Sequence, residues 1–188
     1  TTSGVTVGSG ASLNLGGNAN LNSLAGTGTV QVAGGATLAV GGSNLDNSFG
    51  GALNGAGNLD KNGSGVLNLS GTNALSGAAN VNGGTLNVTG SLASGTVAVN
   101  SGATLAGSGS LAGAVSVADG GHIGLASGST LSVGSLVLGG NSNLDVGLGT
   151  PVLGGGTGLL NVGGDLTLDG NLNVTDIGGF GSGVYNLI

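Results

Sequence analysis

Between Val81 and Leu125 one short phrase returns at a near-constant interval. Each copy is an apolar-polar-apolar triplet, a Gly-containing turn, and a second apolar position. Leu86, Leu105 and Ile123 hold the same place at steps of 19 and 18, and Val81, Val99 and Val117 at steps of 18 and 18. A fixed interval near 20 residues marks a solenoid, in which each repeat makes one coil and stacks on its predecessor. That constraint outweighs every other feature of the chain.

Composition decides between the solenoid and its rivals. Glycine makes up 47 of 188 residues, yet proline occurs once, at Pro151, and glycine does not fall at every third position. Collagen therefore fails on period and on proline. Disorder fails on the 28 Leu and 19 Val, which alternate with polar residues. Charge is sparse: seven Asp, no Glu, no Arg, one Lys (Lys61) and a net charge of −6. Phosphate-neutralising nucleic-acid binding needs clustered Lys and Arg, so no nucleic-acid partner is expected. The absence of cysteine removes disulfides and thiolate metal sites.

In chain order, Val5-Thr6-Val7 and Leu13-Asn14-Leu15 read as one coil, and Val30-Gln31-Val32 with Leu38-Ala39-Val40 as another. The first triplet leads the second by eight residues, as Val97 leads Leu105 and Val115 leads Ile123. Segments this short with period two read as half-buried strands. Residues 43–64, containing Phe49 and Lys61, and residues 147–158, containing Pro151, break the pattern and are expected to form loop excursions. Ordering so much glycine costs roughly 0.5–1 kcal/mol per residue relative to Ala. Stacked coils offset it by burying each inward Val or Leu, at about 1.5–3 kcal/mol each. The expectation is an all-β, right-handed, single-stranded parallel β-helix, with right-handedness following the general crossover preference. Residues 1–188 would form one domain of about ten coils of 18–19 residues, roughly 45–50 Å long. Thr1 in place of Met, and the strand-like end GVYNLI, lead us to expect a slice of a longer polypeptide.

Residues 64–123, from SGVLNLSGTNALSGAANVNGGTLNV to VADGGHI, resemble the passenger-associated transport repeat of bacterial autotransporters, related to the pertactin group. GGDLTLDGNLNVTDIGGFGSGVYNLI (163–188) is similar to the segment that typically follows it. The chain departs from the family at 124–129, which lacks Pro-Gly turns, and at Gly158, where Asp is usual. The resemblance implies a surface-displayed stem outside the bacterial outer membrane, often part of an adhesin or virulence factor. In it the repeat supports secretion and folding, and a C-terminal outer-membrane β-barrel anchors the full-length chain.

No catalytic, cofactor-binding or metal site is expected. Asp165, Thr167 and Asp169 fall on one side of a strand, continued by Asn171 and Asn173, but the repeat-type calcium motif GGxGxDxUx never occurs. Asp46, Asp60, Asp119, Asp145 and Asp176 are dispersed and read as turn or surface residues. His122, the single histidine, follows a Gly-Gly turn and reads as a turn residue, since zinc binding or acid–base work needs partners. Serines lack a nearby base, and Gly34-Gly35 and Gly154-Gly155-Gly156 are not followed by GK[ST]. An enzyme and a small-molecule substrate are therefore not expected. Asn14, Asn68, Asn87 and Asn173 sit at outward triplet centres, so they could order water or bond one another between coils. The other centres, Thr6, Gln31, Ala98, Ser116 and Ser132, are too varied for a regular ice-binding array. The leading function is a structural stem. The alternative is a self-assembling extracellular fibre subunit, because coil ends carry unpaired strand edges. A third reading, adhesion to a host cell, would need a groove, around 43–64 or 147–158.

Overall fold

The computed structural model describes residues 4–151 and 158–188, and within them every regular element is a β-strand. The first rung comprises β1 (Gly4–Val7), β2 (Ser12–Leu15) and β3 (Ala19–Leu21). The second comprises β4 (Ser23–Gly26), β5 (Thr29–Val32) and β6 (Thr37–Val40), and the third β7 (Asn47–Phe49), β8 (Ala52–Gly55) and β9 (Asn58–Lys61). Then come β10 (Val66–Leu69), β11 (Thr72–Leu75) and β12 (Ala78–Val81), followed by β13 (Gly84–Val88), β14 (Ser91–Leu92) and β15 (Thr96–Val99). The sixth and seventh rungs are β16 (Ala103–Gly107) with β17 (Ser110–Val117), and β18 (His122–Ala126) with β19 (Leu131–Leu138). Last are β20 (Asn143–Leu148), β21 (Leu160–Val162), β22 (Leu166–Thr167) and β23 (Asn171–Asp176).

Each rung thus has three sides. One face is a nine-stranded sheet running β1-β4-β7-β10-β13-β16-β18-β20-β23. The other two faces merge into one network because β17 and β19 round their shared corner unbroken. Every ladder among the described residues is parallel, from Gly4↔Ser23 at one end to Leu148↔Asp176 at the other. The protein is a parallel β-solenoid of about seven turns.

The anticipated equivalences hold. Leu86 registers with Leu105 and Leu105 with Ile123, while Val81 registers with Val99 and Val99 with Val117. Ten coils of 18–19 residues are not what the chain makes, for two reasons. Gly26 registers with Phe49, 23 positions on, and Asn143 with Asn171, 28 positions on, so two steps consume extra residues. Beyond β23 the chain also adds no further described strand. Eight steps on the longest face, at about 4.8 Å each, give a length of roughly 38 Å, short of 45–50 Å.

Residues 43–64 are not the expected excursion. They contribute β7, β8 and β9 to the ladders, and the extra length is confined to residues 41–46 between β6 and β7. There Asn44 adopts φ 60° and Leu45 is 67% exposed. Of the second expected excursion, 147–158, Gly147 and Leu148 complete β20, and residues 152–157 lie outside the described residues.

The core is a set of inward columns. Leu67, Leu86, Leu105, Ile123 and Leu144 lie one above another, each between 0% and 5% exposed. Glycine explains how the chain turns so tightly from the first face to the second. Gly28, Gly51, Gly71, Gly90 and Gly109 stack at that corner, and a Cβ on Gly51, Gly71, Gly90 or Gly109 would strike the carbonyl of the glycine one rung away. Only a residue without a side chain lets successive rungs meet there at hydrogen-bonding distance, as in Ser91 N→Gly71 O at 3.1 Å.

Candidate functional surface: polar ladders, a shallow groove and an open end

Three polar side chains occupy inward positions, one on each face. Asn47 registers with Leu67, Asn73 with Leu92 and Lys61 with Val81, and all three are buried. Burying them is tolerable only because their polar groups are satisfied. Asn47 Oδ1 accepts from Leu24 N at 3.1 Å and its Nδ2 donates to Leu45 O at 2.7 Å. Asn73 Oδ1 accepts from Leu53 N at 3.0 Å, while its Nδ2 donates to Gly71 O and Ser91 O at 3.1 and 2.9 Å. The Lys61 stem replaces a valine in the column Val40–Lys61–Val81. Its Nζ donates to Asn62 O, Gly63 O and Gly83 O at 2.7, 2.9 and 2.9 Å, so each of its protons has an acceptor. Burial pushes its pKa below the ordinary lysine value, with Asp46 pulling it back up. Periodicity gave no warning of these three, because a polar letter within an alternating run reads as an outward residue.

Outside, the acids and amides tie rung to rung. Asp46 Oδ1 accepts from Val66 N at 2.8 Å, and Asp60 Oδ1 from Asn80 Nδ2 at 2.8 Å. Asp119 accepts from both the backbone and the side chain of Asn141, at 3.0 and 3.1 Å, and these bonds hold its carboxyl below the usual carboxylate range. Asp176 accepts from Gly178 N. Asn87 Nδ2 donates to Asn68 Oδ1 at 2.6 Å, and Asn62, Asn82 and Asn100 form a second ladder at 2.9 and 2.7 Å. Asn14 lies apart from this array, on the second face, registered with Gln31. The other triplet centres are similarly scattered over faces: Thr6 on the first, Gln31 and Ser132 on the second, Ala98 and Ser116 on the third.

His122 is not a turn residue: it opens β18, and its Nδ1 lies 2.6 Å from Asp145 Oδ2. Asn173 Nδ2 donates to Asp145 Oδ1 at 2.7 Å, so the carboxylate is engaged on both oxygens and links three successive strands. Asp165, Thr167 and Asp169 are exposed around β22, whereas Asn171 and Asn173 lie past a corner on the first face, so they are not one polar row. Among the described residues no three His, Cys, Asp or Glu side chains cluster.

Above Asp145 the outward side chains of the first face shrink to Ala106 and Gly124. They leave a shallow groove of about 480 Å³ bounded by Asn87 and Asp145. This concavity is not at 43–64, and its edge reaches Gly147 only. The second surface feature is the end formed by β22, β23 and the residues after them. Leu166, Leu168, Leu172, Val174, Ile177, Phe180, Val184 and Ile188 are all exposed there. Tyr185 braces this end by donating to Gly149 O at 3.0 Å and stacking on Phe180, with ring centroids 5.1 Å apart.

Uninterrupted parallel rungs, closed on three faces around aliphatic columns, define the β-solenoid class. Within it, residues 59–88, from β9 to the end of β13, match the family model of the passenger-associated-transport-repeat. The chain therefore carries an autotransporter passenger repeat. No curated protein and no solved structure is significantly similar to it.

Proposed function

We propose that this chain is the rigid stem of an autotransporter-type passenger, exported and displayed on the bacterial surface, with no catalytic role. The observation that carries the reading is a passenger repeat embedded in a continuous parallel stack. The parallel crossovers support a right-handed coil. Because each rung bonds to the rung before it, a completed coil is a template for the next. Folding can then advance along the chain as it emerges from an export pore. Sparse charge favours the same route, since few strongly hydrated groups must be desolvated in transit. Anchoring would fall to a C-terminal outer-membrane β-barrel in the full-length protein. An adhesive or virulence role would fall to segments that the stem holds away from the cell.

The test is surface accessibility in the source bacterium. An antibody to the outer ladders should label intact cells, and the gene downstream of Ile188 should encode a β-barrel. Labelling only after lysis, with no barrel encoded, would overturn the proposal.

A further inference from the structure

The two ends of the solenoid are complementary to each other, and we infer that this chain associates head to tail, the β1–β3 rung of one copy seating on the open end of another. The inference does not depend on export or on the stem reading.

Three observations carry it. The first is apolar and positional. The column Leu86–Leu105–Ile123–Leu144 continues to Leu172, which is 53% exposed because no rung lies beyond it. Val174 extends the column of Val146 in the same way, and Leu166 that of Leu136. At the opposite end, Val5, Leu13, Leu15, Ala19 and Leu21 are only half-buried in the matching inward positions. Exposed apolar groups gathered in one patch, unlike scattered ones, mark an interaction surface.

The second is directional. β1 and β23 are the terminal strands of the nine-stranded sheet, and every ladder between them is parallel. Seating β1 of one copy on β23 of another extends that ladder with its polarity unchanged. Joining two like ends would reverse strand direction and break the columns.

The third is electrostatic. Residues 1–45 contain no Asp, Lys or His, whereas Asp165, Asp169 and Asp176 ring the open end. Two open ends would bring like charges together, which is unfavourable, while an open end and an uncharged first rung meet without that repulsion. Such a heterologous contact does not close on itself, so it builds a linear series.

The 188-residue chain tests this directly by sedimentation equilibrium and electron microscopy. The weight-average mass should climb with concentration through successive multiples of 17.0 kDa, and rods should lengthen by one unit at a time. Leu172→Asp with Val174→Asp alters only exposed side chains, so its far-UV spectrum should match the parent and its mass should stay at one chain. Mixed with Leu13→Asp, which blocks the other end, this variant should give a species of two chains and nothing larger. A parent chain that stays monomeric at every concentration, or stops at a dimer, would overturn the inference. So would unchanged association of the Leu172→Asp, Val174→Asp chain.

Discussion

Leu105 and Leu172 occupy the same column, in the same triplet phrase, three registered steps apart. Leu105 is fully buried and Leu172 is 53% exposed. Nothing within either residue's own rung accounts for the difference. In the middle of the stack every inward side chain has a rung on both sides, while in the final rung it has one. A solenoid core is therefore shared between neighbours, and a rung alone buries little.

The comparison can be broken most directly at those two leucines. Leu105→Ala should cost about 2–5 kcal/mol in urea unfolding, because the rigid rungs on either side cannot collapse into the cavity. Leu172→Ala should change stability by no more than about 0.5 kcal/mol, as at other exposed sites. Equal losses would mean that the last rung is covered in solution. The corner glycines should show a smaller contrast. Gly90→Ala forces a Cβ against the Gly71 carbonyl and should cost about 1–3 kcal/mol, whereas Gly181→Ala, in the open end, should be nearly neutral.

Lys61 sharpens the comparison, because it is the one place in the covered stack where a cation fills an aliphatic column. Lys61→Met should keep the stem packing yet lose about 1–3 kcal/mol, measured near neutral pH, by leaving three carbonyls without their donor. The pH dependence has a definite sign. The folded-state pKa lies below 10.5, so the unfolded chain holds its proton to higher pH and stability rises as pH climbs from the folded value towards 10.5. Lys61→Met should abolish that rise. Asp119 gives the smallest effect, and on the acid side. Its pKa is depressed, so its contribution is present above the ordinary value of 3.8 and disappears as pH falls through the folded value. In Asp119→Ala that share of the acid loss should be missing from unfolding curves taken across the same range.

Much of the column structure was legible in the spacing. The equivalence of Leu86, Leu105 and Ile123 needed only a repeated interval, because stacking forces like onto like. The three-sided cross-section was not legible, and the eight-residue lead shows why. It joins the first face to the second at Val5 and Leu13, the second to the third at Val30 and Leu38, and the third to the first at Val97 and Leu105. One phrase serves all three faces, so two triplets were taken for a whole coil. The partnership of His122 with Asp145, 23 residues away, was hidden for the same reason: only the register sets those two side chains together.

The sequence alone determined that aliphatic side chains recur at coil spacing and that glycine sits where the chain must bend. Those are local properties, repeated. Tertiary structure decided which side of the triangle each phrase occupies, which polar residues turn inward, and where the columns run out. Those outcomes depend on what lies one rung above and one rung below. The hydrogen bonds of Lys61 and the exposure of Leu172 are both set by neighbours roughly 20 residues or more away along the chain.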